Sequence, residues 1–249
     1  MTSPVVLVSP AMAVPSWYYR PLLEAFESVG WEAAVVPRRG FDDASPVASR
    51  AHDWSYADEI QDVADAVVKA RAEEPDRPVL LLGHSLGGQV STFHDLLNEP
   101  VDGLVLVGVS TPHFRTYPYG GLPVLAMGGI VPLATRAFGY LPKPAFGAPG
   151  ARTLMREWAR WVRTGRPPVR VDRKVETPSL VVKLQADAYA VSAATDAFVD
   201  LALDTTHVTR WTYTRDQAPD GGSTDHVQWV KRPQAVVDRV LTWWADTAR

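Results

Sequence analysis

At 249 residues, with 46% of them hydrophobic, the chain is long enough for one domain with a substantial core. A net charge of −3 makes no electrostatic case for nucleic acid or an anionic membrane, and the lack of cysteine excludes disulfides, thiol catalysis and Cys-ligated zinc. No apolar run approaches the roughly 20 residues that cross a bilayer, and the N-terminus lacks the basic and apolar regions of a secretory signal. These features predict a cytoplasmic protein without a membrane span, and the excess of Arg over Lys points to the coding bias of a GC-rich bacterium.

Residues 5–9 read as a first buried strand and 10–16 as a loop. Residues 17–29 carry Trp17, Leu22, Leu23, Phe26 and Val29 near helical spacing, and Gly30 stops the helix. Residues 33–36 form a second strand, followed by a polar loop over 38–49. A helix over 56–72 buries Ile60, Val63, Ala64, Val67 and Val68, with Ser55 as its N-cap.

The next stretch, V-L-L-L-G-H-S-L-G-G over 79–88, is the most informative. Four apolar residues suit a strand buried on both faces of a parallel sheet. Gly83, Ser85 and Gly87 then give G-x-S-x-G, and a helix follows over 89–97. A strand running straight into a helix forces the serine into a strained corner that lifts its hydroxyl clear of the sheet. A further buried strand occupies 104–109. Strands alternating with helices at this spacing predict a parallel sheet with right-handed crossovers.

The rhythm breaks over 111–168, which is rich in proline, glycine and aromatic residues. This stretch reads as an inserted lid over the carboxyl ends of the strands, with one convincing helix over 151–163. Core residues 1–110 and 169–249 flank it. The alternation resumes with a strand at 179–184, a helix at 193–203, a strand at 208–213 and a helix at 233–248.

A serine hydroxyl is a poor nucleophile until a base takes its proton, and the base needs an orienting carboxylate. In this architecture the order along the chain is Ser, acid, His. His226 follows a Gly/Ser/Asp-rich loop after the last strand, whereas His207 precedes that strand at the opposite end. Asp187 lies just past the 179–184 strand, while Asp196 and Asp200 fall on the next helix and Asp102 at the wrong end of its strand. The candidate catalytic residues are therefore Ser85, Asp187 and His226. An oxyanion hole needs two N–H groups. Leu86 follows the nucleophile, and Met12 in Pro10-Ala11-Met12-Ala13 is the expected second donor, with Ala11 as the alternative.

Gly83–Gly88 together with Asp187 and His226 resembles the α/β-hydrolase superfamily over essentially the whole chain. P-A-M-A-V-P-S-W-Y-Y-R-P-L, G-H-S-L-G-G-Q and E-W-A-R-W-V-R are similar to a group of bacterial α/β hydrolases without an established substrate. The resemblance implies a three-layer α/β/α fold, a mostly parallel sheet of about six strands with an inserted helical lid, and a Ser–His–Asp hydrolase. The chain departs from it in lacking N-terminal antiparallel strands, in carrying Ala13 where the group favours glycine, and in Ser9-Pro10 where many relatives have a histidine.

The expected activity is hydrolysis of a carboxylic ester or thioester through an acyl-enzyme on Ser85, without cofactor or metal. A non-hydrolytic cyclase, epimerase or acyltransferase on the same scaffold is the alternative, and a pure binding protein the third reading. Tyr119, Phe138, Trp158 and Trp161 are candidate substrate-binding residues, which suggests a small-molecule substrate with an apolar acyl or aromatic part. Arg152, Arg156, Arg160 and Arg163 recur along one helix face, which reads as solvated, with a carboxylate or phosphopantetheine site as the alternative. Asp42, Asp43 and Asp53 invite a metal reading but lack a histidine in register. His84 and Trp229 read as packing residues.

Overall fold

The computed structural model describes residues 3–41, 45–143 and 146–247. Six strands form one sheet: β1 (Val5–Ser9), β2 (Glu32–Val35), β3 (Val79–His84), β4 (Gly103–Val107), β5 (Ser179–Leu184) and β6 (Val208–Tyr213). Their order across the sheet is β2-β1-β3-β4-β5-β6, and every neighbouring pair is parallel. The mostly parallel α/β architecture expected from the alternating pattern is what the chain adopts.

The period of two along each strand divides the core into two layers. Val5, Leu7, Val79, Leu81, Leu104, Leu106 and Val181 face one side, against α2 (Tyr56–Glu73), α3 (Leu86–Leu97) and Phe198 and Val199 of α6 (Ser192–Ala202). Val6, Val8, Leu80, Leu82, Val105, Val107, Leu180 and Val182 face the other, against α1 (Arg20–Glu27) and α7 (Gln234–Thr247). Leu80, Leu81 and Leu82 are fully buried. Burial of each such side chain stabilises the fold by about 1.5–3 kcal/mol.

Several helices differ in extent from their sequence-based bounds, for local reasons. The expected 17–29 helix divides into a 3-10 turn, Ser16–Tyr19, and α1, because Pro21 in the first turn presets the helical φ where its missing N–H costs nothing. Ser55 caps α2 in a reciprocal capping box with Asp58. Helix α3 starts three residues earlier than expected, directly after Ser85. Strand β4 stops at Val107 because Gly108 turns the chain with φ +58°.

The insertion between β4 and β5 differs most. It contains α5 (Arg152–Thr164), as expected, and also α4 (Leu122–Phe138), a second helix beyond the one convincing from sequence. Pro123 sits in the first turn of α4, and Pro132 is accommodated inside it. Tyr119–Phe138 is also long and apolar enough, by length and composition, to cross a membrane, contrary to the expectation that no such run exists.

Helix α5 is fastened to the sheet domain. Asp53 accepts from Arg152, the Thr153 N–H and the Thr153 hydroxyl at 2.7–2.9 Å. Glu157 accepts from the Tyr56 N–H at 2.8 Å. These bonds satisfy spare N–H groups at the starts of two helices at once. Helix α4 packs on the outer side of α5 through Gly128, Val131 and Thr135. A Cβ at Gly128 would lie 2.7 Å from Val162, so the glycine permits the close approach.

Candidate active site

In a parallel sheet every strand ends on the same edge, and loops that follow the strands meet there. Ser85 follows β3, Asp187 lies three residues beyond β5, and His226 is in the loop between β6 and α7. The structure brings all three together. His226 Nε2 lies 2.9 Å from Ser85 Oγ, and His226 Nδ1 lies 2.6 Å from Asp187 Oδ2. Because the carboxylate can only accept, Nδ1 carries the proton and Nε2 is free to accept from the serine hydroxyl.

The elbow geometry has a visible backbone cause. Ser85 adopts φ 55°, ψ −115°, a conformation that costs about 1–3 kcal/mol outside glycine. The surrounding contacts enforce it. A Cβ at Gly87 would lie 1.9 Å from the Ser9 carbonyl oxygen, and one at Gly83 would lie 2.4 Å from Gly88 Cα. The Ser85 N–H donates to the Val107 carbonyl at 2.9 Å, fixing the corner against β4.

The loops that carry Asp187 and His226 are also joined. Ala186 donates to the Thr224 carbonyl at 3.1 Å, linking the segments on either side of the pair. Asp187 Oδ1 accepts from the Tyr189 and Ala190 N–H groups at 2.8 and 2.7 Å, so both carboxylate oxygens are engaged. Its side chain is 1% exposed and that of His226 8%. Gly108 lies beneath them: a Cβ there would come within 3.1 Å of Asp187 Oδ2 and 3.2 Å of His226 Nδ1. The tight Asp–His contact therefore depends on a glycine that no catalytic motif singles out.

A second buried chain supports His226 from behind. Ala11 N–H donates to the Tyr19 hydroxyl at 2.8 Å, Tyr19 lies 2.8 Å from His84 Nδ1, and His84 Nε2 lies 2.7 Å from the His226 carbonyl. The carbonyl can only accept, so Nε2 of His84 is protonated and Nδ1 accepts from Tyr19. Burial, with His226 nearby, holds the His84 pKa well below the usual imidazole value and keeps this ring neutral. His84 is thus more than a packing residue. Trp229 lies edge-on to His84, fully buried in the core.

The same chain bears on the candidate oxyanion donors. The Ala11 N–H is occupied by Tyr19. Among the described residues, neither the Met12 nor the Leu86 N–H donates to a protein acceptor. Ala13 adopts φ 60°, the left-handed conformation in which glycine is relaxed, so the departure from glycine at this position strains the loop.

The four candidate substrate aromatics do not form one wall. Trp161 is fully buried against Phe93 and Phe198, and Trp158 lies edge-on to Phe146 inside the insertion's own cluster. Tyr119 and Phe138 are on the outer surface. A narrow cleft does open beside the Met12–Ala13 loop, lined by Met12, Trp54, Phe146, Leu154 and Met155, with Arg38 and Arg39 at its edge. Sequence pattern missed this cleft because its walls come from four separate segments. A larger groove between α2 and α3, lined by Val67, Val68, Arg71 and His94, contains none of these groups.

The competing carboxylates and histidines are occupied elsewhere. Asp102 accepts from the Val79 N–H, and Asp196 pairs with Lys183 and Arg210. His207 precedes β6 with a half-exposed ring. Asp53 holds α5 as described, while Asp42 and Asp43 lie outside the described residues. Among the described residues no cluster of three or more His, Cys, Asp or Glu side chains could hold a metal ion.

Fold and site together define the class, the α/β hydrolases. Within it the chain belongs to the serine aminopeptidase S33 family, whose profile matches residues 2–142. No curated protein sequence matches the chain. Among solved structures it is similar to the metagenome-derived lipolytic enzymes LipS and LipT (TM-score 0.65, 17% identity, 98% of this chain and 94% of that one). It is also similar to YbtT, a type II thioesterase of the yersiniabactin pathway (TM-score 0.62, 18% identity, 99% and 94%). The esterase EaEST of Exiguobacterium antarcticum gives a TM-score of 0.62 at 16% identity, covering 97% of this chain and 92% of that one.

Proposed function

We propose that the protein is a serine hydrolase of carboxylic esters or thioesters, acting through an acyl-enzyme on Ser85. The observation that carries this reading is the unbroken Ser85–His226–Asp187 hydrogen-bond line at the carboxyl edge of the sheet. His226 takes the Ser85 proton as the oxygen attacks the substrate carbonyl, and Asp187 stabilises the imidazolium. The Leu86 and Met12 N–H groups hold the oxyanion. His226 then protonates the departing alcohol or thiol, and water, deprotonated by His226, releases the acid and restores Ser85.

The acyl group points towards the narrow cleft beside Met12, and residues 111–168 act as the lid above it. Its lining includes apolar side chains and two arginines, with no carboxylate among the described lining residues to pair with a free α-amine. That favours an ester or thioester with an apolar acyl group over the aminopeptidase substrate in the family's description. The esterase and thioesterase names among the structural neighbours agree with this choice.

The test is labelling with a fluorophosphonate probe, peptide mapping, and turnover of short p-nitrophenyl esters. The wild type is expected to label on Ser85 and hydrolyse the ester. Ser85→Ala should lose labelling and at least about 10⁴-fold in turnover. Unchanged labelling in Ser85→Ala, or a label elsewhere, would overturn the assignment. A labelled wild type that releases no acid from any ester or thioester would instead support the non-hydrolytic acyl-transfer reading.

A further inference from the structure

The chain's charge of −3 conceals a strong division. Residues 111–168 hold eight Lys and Arg side chains and one acidic residue, Glu157. The insertion therefore carries +7, leaving −10 on the remainder. Arg115, Arg136, Arg156, Arg163 and Arg166 are exposed, and none forms an ion pair among the described residues.

This basic region borders an uncovered apolar face. The inner face of α4 (Gly128, Val131, Thr135) packs on α5, and its outer face presents Leu122, Ala126, Ile130, Leu133 and Ala137 to solvent. Leu122, Ile130 and Leu133 are 66%, 54% and 70% exposed. No polar side chain interrupts this stripe. Arginines of α5 lie behind it, at the inner face of α4: Arg156 donates to Thr135 at 2.9 Å, and the stem of Arg163 lies against Gly128, while the exposed Arg136 of α4 itself borders the stripe.

We infer that α4 and the α5 arginines form a docking surface for an anionic lipid bilayer. An exposed apolar ridge backed by arginines has the amphipathic layout of a helix lying in the headgroup plane, with its apolar side in the acyl boundary. Charge complementarity selects an anionic surface, and the −10 remainder is repelled from it, so the molecule lands insertion first. The docked orientation also brings the candidate site near the lipid. Tyr117, in the insertion's first segment, donates to the Tyr189 carbonyl at 2.8 Å, and the Tyr189 ring lies 5.2 Å from that of His226. The attachment itself does not depend on the catalytic reading.

Co-sedimentation of the full chain with vesicles tests this surface. Vesicles of mixed phosphatidylglycerol and phosphatidylcholine should bind the protein at low salt and release it at high salt, and pure phosphatidylcholine should bind it far less. Affinity falls roughly fivefold for each arginine removed near such a surface, so Arg160→Gln/Arg163→Gln should bind about 25-fold more weakly. Leu133→Ser should weaken binding about tenfold through lost apolar burial. Both variants should keep the wild-type melting temperature and p-nitrophenyl ester turnover, which separates lost docking from lost folding. Equal binding to neutral vesicles would overturn the proposal. So would binding to soluble poly-glutamate without vesicle binding, which assigns the face to an acidic protein. Self-association that Leu133→Ser abolishes, with no vesicle binding, would assign it to a second copy.

Discussion

The sheet domain and the insertion treat charge in opposite ways. In the sheet domain, some ionisable groups are taken inside. Arg38 and Glu59 pair at 2.5 Å with both side chains at 7% exposure or less, and Glu59 also accepts from the Trp54 ring N–H. Asp95, His84 and His94 are buried within or beside α3. In the insertion, Arg156, Arg160 and Arg163 stand in solvent beside an apolar ridge. Charge in the first region matters only when satisfied, and a lost partner there leaves a desolvated group behind. Charge in the second region matters by being displayed. A whole-chain value of −3 averages the two regimes and hides both.

The strongest test of the contrast is a buried group whose ionisation opposes folding. Asp95 is fully buried on α3, accepting from the Thr177 hydroxyl at 2.7 Å and the Val101 N–H at 3.4 Å. Burial raises its pKa to about 7, against the pull of those donors and of Arg71 and Arg173. Since the folded pKa exceeds the unfolded value of about 3.9, the folded state holds the proton more tightly. This group's contribution is therefore neutral below about pH 4, falls between pH 4 and 7, and is flat above. At about 1.4 kcal/mol per unit, the loss reaches about 4 kcal/mol at most. His94, lowered by burial to about 4, acts in the opposite direction, so the wild-type profile alone does not isolate Asp95. Asp95→Asn does. Its advantage over wild type in urea unfolding should grow from pH 4 to 7 and then hold constant. A constant difference across that range would mean Asp95 ionises as an exposed carboxylate does.

The next effect in size concerns the buried chain behind His226. His84→Ala leaves the Tyr19 hydroxyl without its acceptor and the His226 carbonyl without its donor, each about 1–3 kcal/mol when buried. If the chain positions His226, kcat for the p-nitrophenyl ester should fall about 10–100-fold with KM nearly unchanged. A variant that loses stability but keeps wild-type kcat would make His84 a core residue only.

The two regions also differ in how far they can be read from sequence. Strands β3, β4 and β5 are legible because V-L-L-L, L-V-L-V and L-V-V are too apolar for anything but the centre of a parallel sheet. Ser85, Asp187 and His226 are legible because strand ends fix where such groups can meet. Helix α4 is not legible. Pro123 and Pro132 both signal a break, and only the packing on α5 and the Thr135 hydroxyl's bonds to the Val131 and Pro132 carbonyls show how the helix continues. Gly108, the Tyr19–His84–His226 chain and the cleft beside Met12 are equally hidden. Each depends on segments tens to more than a hundred residues apart, and a local pattern does not encode such proximity.

The smallest effect is the most diagnostic for the insertion. Leu106, in β4, is fully buried, and Leu106→Ala should cost about 2–5 kcal/mol through lost burial and the cavity left behind. Leu133, on the outer face of α4, is 70% exposed, and Leu133→Ser should change folding stability by no more than about 0.5 kcal/mol. The two leucines have the same chemistry, so the difference measures only what covers them. Dilute protein in lipid-free buffer is the condition that matters, because any partner that covers α4 would stabilise the folded state by mass action. If Leu133→Ser cost as much as Leu106→Ala there, the α4 ridge would be a packed face and not a displayed one. The division between a region that hides its chemistry and one that presents it would then fail at the insertion.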